Sequence, residues 1–215
     1  MSDPTAAVRA VDLAALVAGK LCHDFISPAG AISSGLDLLS DPSAQDMRDD
    51  ALALISQSAG KMVALVHFAR VAFGASTTAE RFNAEALKGL VDDLLSGGRA
   101  QIAWALGVSE FGKPESRALL NLAYVAVGAL PSGGVAAISA RQDERGLILQ
   151  GVAEGARARL KPEAVTGLSG HTLIEGLQGQ WIQPYWLWLT VTEAGGQLSV
   201  DATEGRVVLT ALMPT

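Results

Sequence analysis

The residues best able to do chemistry are His23 and Asp24, in the run Leu21-Cys22-His23-Asp24-Phe25-Ile26-Ser27-Pro28. An imidazole has an ordinary pKa of about 6.5, so near neutral pH a ring nitrogen is free to act as a nucleophile. A neighbouring carboxylate can hold the other ring N–H, fix the tautomer and stabilise positive charge that develops on the ring. Helical periodicity sets the pair beside a packing seam. Val11, Ala15, Ala18, Cys22, Phe25, Ala29, Ile32, Leu36 and Leu39 recur at alternating steps of four and three, the spacing of a helix in a bundle. His23 and Asp24 lie on the flank of that seam. A single histidine on a helix is ordinarily only a solvated polar residue. Pro28, five residues on, changes the reading: an interior proline costs about 3 kcal/mol and kinks a helix, and bending the backbone beside a reactive side chain is a reason to carry one.

Residues three, four and seven positions from His23 share its flank: Leu16, Gly19, Lys20, Ile26, Ser27, Gly30 and, farther along, Ser34. Several are small, which allows a partner's close approach. Ser27 is placed either to bond a water or to bond the helix carbonyl four residues back. The elements that carry this face follow from the same periodicity. Residues 8–39 are expected as one helix. Ser40-Asp41-Pro42-Ser43 is a turn with Ser43 as N-cap, and residues 44–73 form a second helix. Its apolar positions, among them Ala51, Leu54, Ile55, Met62, Leu65 and Phe68, make a stripe too wide for one neighbour. A hairpin alone cannot bury such stripes, so a second copy is expected to complete a four-helix bundle as a homodimer.

Gly74 to Thr78 reads as a boundary, giving a helical unit at 1–75 and a second unit at 76–215. Beyond it, helices are expected at 85–95, 114–130, 162–168 and 184–194, and strands at 101–106, 135–140, 147–152, 197–200 and 206–212. This is an α/β domain whose helices cover one face of a mostly antiparallel sheet. The whole is α + α/β.

Composition narrows the function. The net charge of −6 disfavours a nucleic-acid partner, which needs a basic face. One cysteine, Cys22, excludes an internal disulfide and a cysteine-rich zinc site, and its seam position predicts a buried small hydrophobe. No apolar run of about 18 residues suggests a membrane span, and Asp3, Arg9 and Asp12 break any signal-peptide core. The expected location is the cytoplasm.

His23-Asp24-Phe25-Ile26-Ser27-Pro28 resembles the H-box of sensor histidine kinases: His, an acidic residue, two variable residues, Thr or Asn, then Pro. Leu119-Leu120-Asn121-Leu122, in a helix ending near Pro131 and Gly133-Gly134, resembles the kinase N-box. Gly195-Gly196 before the last strands resembles the end of the kinase catalytic domain. The likeness runs through nearly the whole chain after residue 10, yet the nucleotide elements depart from it. The place of the magnesium-binding asparagine holds Val125, which offers no oxygen to a hard cation. The adenine-binding aspartate place holds Ala153, with Glu154 one residue on. The second glycine box reads Gly179-Gln180-Trp181-Ile182-Gln183-Pro184, where bulk and a proline replace phosphate-cradling glycines. A kinase-shaped chain with a phosphorylatable histidine and no ATP site resembles the dimeric histidine phosphotransferases of alphaproteobacterial phosphorelays. The stretch from His23 through Leu36-Asp37-Leu38-Leu39 and Asp41 to Asp50 carries that closer likeness.

The resemblance implies a degenerate ATPase-like α/β sandwich after a dimerising hairpin. It also implies a phosphoryl relay through His23, with Asp24 orienting the ring. The implied donor is the receiver domain of a CckA-like hybrid histidine kinase, and the implied acceptors are CtrA-like and CpdR-like response regulators. No cofactor or metal is expected on this chain, magnesium being supplied by the receiver. Two rivals are an active kinase with a divergent site, supported by Asn121 and Glu154, and a non-enzymatic dimeric docking adaptor. His67, His171, Trp186 and Trp188 read as structural, and Arg157, Arg159 and Lys161 as a solvated basic run.

Overall fold

The computed structural model describes residues 8–74 and 79–214. Residues 75–78 of the expected link and the first seven residues, including Asp3, lie outside that description. The chain opens with two long helices, α1 (Ala10–Ser40) and α2 (Arg48–Ala72), that pack as a hairpin. A six-residue 3-10 turn, Pro42–Met47, joins them. Asp41 caps that turn, not Ser43 as the sequence suggested. Its carboxylate accepts from the Ser43 backbone N–H at 2.8 Å and hydroxyl at 2.7 Å, with Pro42 in the first position, where no N–H is needed. The turn consumes the residues expected to start α2. The helices approach closely at Gly35, which is buried against Ala51. A Cβ there would stand 2.6 Å from Ile55 Cγ1 and 3.1 Å from the Ala51 carbonyl.

The face that α1 turns inward is not the expected seam. Lys20, Pro28 and Gly35 are its buried residues. The regular apolar stripe points away from α2: Val11 is 77% exposed, Leu36 51%, and Cys22 is exposed rather than buried. Thus α1 packs inside the chain with one face and leaves its most periodic face uncovered. Within Pro42–Ala72 one 18-residue window has a mean hydropathy of 1.3, long and apolar enough by length and composition alone to cross a membrane.

Strand β1 (Arg81–Asn83) pairs antiparallel with β3 (Glu110–Gly112) in a small ribbon. Between them lie α3 (Ala84–Leu95), capped by Asn83 Oδ1 on the Glu85 N–H at 2.9 Å, and β2 (Ala100–Leu106). Next come α4 (Lys113–Gly128), β4 (Gly134–Asp143), β5 (Gly146–Glu154), α5 (Pro162–Leu168), α6 (Gln178–Glu193), β6 (Gln197–Thr203) and β7 (Arg206–Met213). The main sheet runs β2-β4-β5-β7-β6, antiparallel except for the β2–β4 pair. The parallel pair requires a crossover, and α4 supplies it. This helix is the spine of the core: Ala118 to Ala123 are all buried. It lies close on β5 because Gly151 has no side chain, and a Cβ there would meet Leu122 Cδ2 at 2.8 Å. Helices cover one face of the sheet, as the pattern predicts.

A further departure is α6. It starts at Gln178, six residues before the expected start at Pro184, and carries that proline inside. Interior proline costs about 3 kcal/mol. Trp181, Ile182 and Tyr185 are nearly fully buried and pack against Leu13, Leu16 and Val17 of α1. Each such burial contributes about 1.5–3 kcal/mol, so together they outweigh the break.

Candidate functional site

On α1, Lys20, Asp24 and Pro28 fall one turn apart and face the interior, while His23 projects outward with its side chain 86% exposed. Asp24 stands between the two environments. Its Oδ1 lies 3.3 Å from His23 Nδ1, and its Oδ2 accepts a 2.6 Å hydrogen bond from Lys20 Nζ. That length marks a charge-assisted bond. Lys20 is 6% exposed at its side chain. Its Nζ is 3.5 Å from the Tyr124 hydroxyl and 5.3 Å from the centre of the Tyr124 ring, within cation–π range. Tyr124 leans in turn on Phe68 of α2, ring centres 5.9 Å apart. Burial pulls the Lys20 pKa down, but Tyr124 and Asp24 more than offset it and hold the ammonium above its ordinary value.

Of the flank residues, Gly19, Ile26, Ser27, Gly30 and Ser34 are exposed beside His23. Gly19 and Gly30 have open space where a Cβ would stand, and Ile26 is 72% exposed. Two expected flank residues serve inside the chain instead. Lys20 folds inward because its long stem can follow the helix surface to Asp24 and Tyr124. Leu16 packs on the Trp181–Tyr185 cluster of α6. His23, Asp24 and Ser27 line one wall of an open cleft of about 1030 Å³, with Lys61 and His67 of α2 opposite and Ser96-Gly97 at the end of α3. Lys61 closes that end by donating to the Leu94 carbonyl at 2.8 Å. Tyr124 and His67 were not singled out by sequence as site residues; Tyr124 lies 104 positions from Lys20, and no local spacing pairs them.

The positions that resemble a nucleotide site are filled by packing. Val125 and Ala153 are buried, and Trp181 is inside α6 with its indole N–H on the His171 carbonyl at 2.8 Å. Asn121 is fully buried and donates to the Ala72 carbonyl at 2.9 Å. Trp186 donates to the same carbonyl at 3.0 Å, so the end of α2 is held to α4 and α6. The Glu154 carboxylate is bound by Arg206 at 3.0 Å. Among the described residues no cluster of three or more His, Cys, Asp or Glu is arranged to hold a metal.

Residues 84–206 match the family model described as the histidine phosphotransferase C-terminal domain. The chain is 32% identical over 205 residues to protein phosphotransferase ChpT of Brucella abortus (strain 2308), covering 95% of this chain and 97% of that protein. A solved 1.7 Å structure of a bacterial phosphotransferase superposes with a TM-score of 0.84 at 30% identity, over 97% of this chain and 100% of that one.

Proposed function

This chain belongs to the histidine phosphotransferase family, and on that premise we propose that it relays a phosphoryl group through His23 between the aspartates of receiver domains. The observation that carries the proposal is the exposed His23 imidazole with Asp24 at its Nδ1. With Nδ1–H turned to the carboxylate, Nε2 is the free nitrogen. It attacks the phosphorus of the donor's acyl phosphate. The N–P bond forms as the P–O bond breaks, and the electron pair leaves on the receiver's carboxylate. The ring gains positive charge, which Asp24 stabilises while Nδ1 keeps its proton. The reverse step hands the group to a second receiver. Catalysis is positioning and electrostatics, with magnesium supplied by the receiver and none held by this chain.

The donor in this reading is the receiver domain of a CckA-like hybrid kinase, and the acceptors are CtrA-like and CpdR-like regulators, in a cytoplasmic cell-cycle relay. Exposed Gly19, Ile26, Ser27, Gly30 and Ser34 form the docking flank around His23. Residues 1–75 serve as the dimerising phosphotransfer hairpin, and 76–215 as an α/β domain that does not bind ATP. The loss of the nucleotide site is supported by buried Val125 and Ala153, by Trp181 within a helix, and by the engagement of Asn121 with Ala72. The homodimer is supported by the uncovered stripe of Val11, Cys22 and Leu36. The test is incubation with a labelled phosphorylated receiver. Acid-labile, base-stable label on this chain is expected, with none from labelled ATP alone. Label from ATP would restore the kinase reading, and no label from either source would leave the docking adaptor.

A further inference from the structure

The buried ammonium of Lys20 has no place in the transfer as written above, yet it touches the group that orients the nucleophile. We propose that Lys20 and Tyr124 are positioning residues for the phosphotransfer, with α4 seating Lys20 so that it holds one oxygen of Asp24 and presents the other to His23. The inference rests on the His23 relay. Its warrant is geometric. Asp24 has two oxygens and they are divided: Oδ2 goes to Lys20 at 2.6 Å, Oδ1 to His23 at 3.3 Å. Without Lys20 the carboxylate is free to rotate, and either oxygen or a water can meet the imidazole. Lys20 is itself fixed by the face and hydroxyl of Tyr124, and Tyr124 by Phe68.

A purely structural reason for this pair is weak. Taking an ammonium out of water is expensive, and a well-packed apolar side chain of similar volume commonly serves stability as well or better than a buried ion pair. What the apolar side chain cannot do is hold a carboxylate in one orientation. The arrangement also gives the α/β part a role in chemistry without touching the substrate. Tyr124 belongs to the core helix of the sheet, so the setting of that helix is transmitted through Lys20 and Asp24 to the ring of His23.

Single-turnover transfer from a phosphorylated receiver, with receiver affinity measured separately, separates the roles. Lys20→Met is expected to slow transfer about 10–100-fold with receiver affinity and melting temperature near those of the unaltered chain. Nitrogen-15 spectra of His23 should change from one dominant tautomer to a mixture. Lys20→Arg should recover part of the rate. Tyr124→Phe, which keeps the ring and removes the hydroxyl, should slow transfer several-fold, and the double variant should lose less than the product of the two. Should Lys20→Met fail to fold, Tyr124→Phe and the tautomer spectrum decide alone. Unchanged rate and tautomer in the variants overturn the inference, as does weaker receiver binding at unchanged rate, which would make Lys20 a docking residue. A chain that places no phosphate on His23 at all removes the relay itself, a separate outcome read from the unaltered protein.

Discussion

At the scale of single residues, the proposed chemistry depends on how one exposed ring is held. His23→Ala should abolish labelling by a phosphorylated receiver. Its melting temperature should stay unchanged, because an 86% exposed side chain leaves no cavity behind. Label persisting on that variant would move the relay elsewhere, His67 in the same cleft being the first place to look. Asp24→Asn should slow transfer by about 10²-fold, read by the same assay, while the receiver still binds. The pairing of His23 with Asp24 was legible in the run His23-Asp24-Phe25-Ile26-Ser27-Pro28, but periodicity named the wrong face as packed, so that Asp24, expected on the outward flank with His23, turns half inward beside Lys20 and Pro28. The inward turn of Lys20 was not legible. Spacing gives the direction of a Cβ, whereas a four-carbon stem ends wherever its partner lies, and that partner is on another helix far along the chain.

At the scale of elements, the hairpin rests on one close crossing and one capped turn. Gly35→Ala should cost about 1–3 kcal/mol, as overpacking does, because the new methyl meets Ile55 and the Ala51 carbonyl; urea unfolding measures it. The Ser43 hydroxyl and N–H hold the Asp41 carboxylate below its usual pKa. Its contribution is therefore present above the ordinary carboxylate value of about 3.9 and is lost as pH falls through the lower folded-state value. The melting temperature of Asp41→Asn should accordingly fall below that of the unaltered chain at pH 6, with the gap closing toward pH 3. An equal gap at both values would exclude a role for that charge. Helices α1 to α5 and the five long strands could be read from period and punctuation. The three-residue strands β1 and β3 could not, being too short to show a period. The start of α6 was misplaced because Pro184 looks like a helix opening, and only the α1 surface beneath Trp181 shows why the helix extends past it.

At the scale of the molecule, two exposed surfaces bear on the proposed assembly: the apolar stripe of α1 at Val11, Cys22 and Leu36, and the flank carrying His23. Light scattering should show a dimer at micromolar concentration, and Leu36→Asp should weaken it, since each leucine withdrawn from burial costs roughly 2 kcal/mol. A monomeric unaltered chain would remove the bundle from the proposal. Calorimetry with ATP or ADP at millimolar concentration should show no saturable binding; a saturable isotherm would mean that the packed region opens. The contact between the start of α1 and the start of α6 has a consequence for synthesis. Leu13, Leu16 and Val17 are made early, while Trp181, Ile182 and Tyr185, which cover them, are made late. At translation rates of about 5–20 residues per second, the gap is on the order of ten seconds or more. The hairpin is complete only once Ala72 is made, and from then until Trp181 follows, roughly five to twenty seconds at those rates, it is bare at its first turns. If the proposed dimer forms, two such hairpins on neighbouring ribosomes can meet before either has its own α6, so its assembly is free to precede completion of the chain.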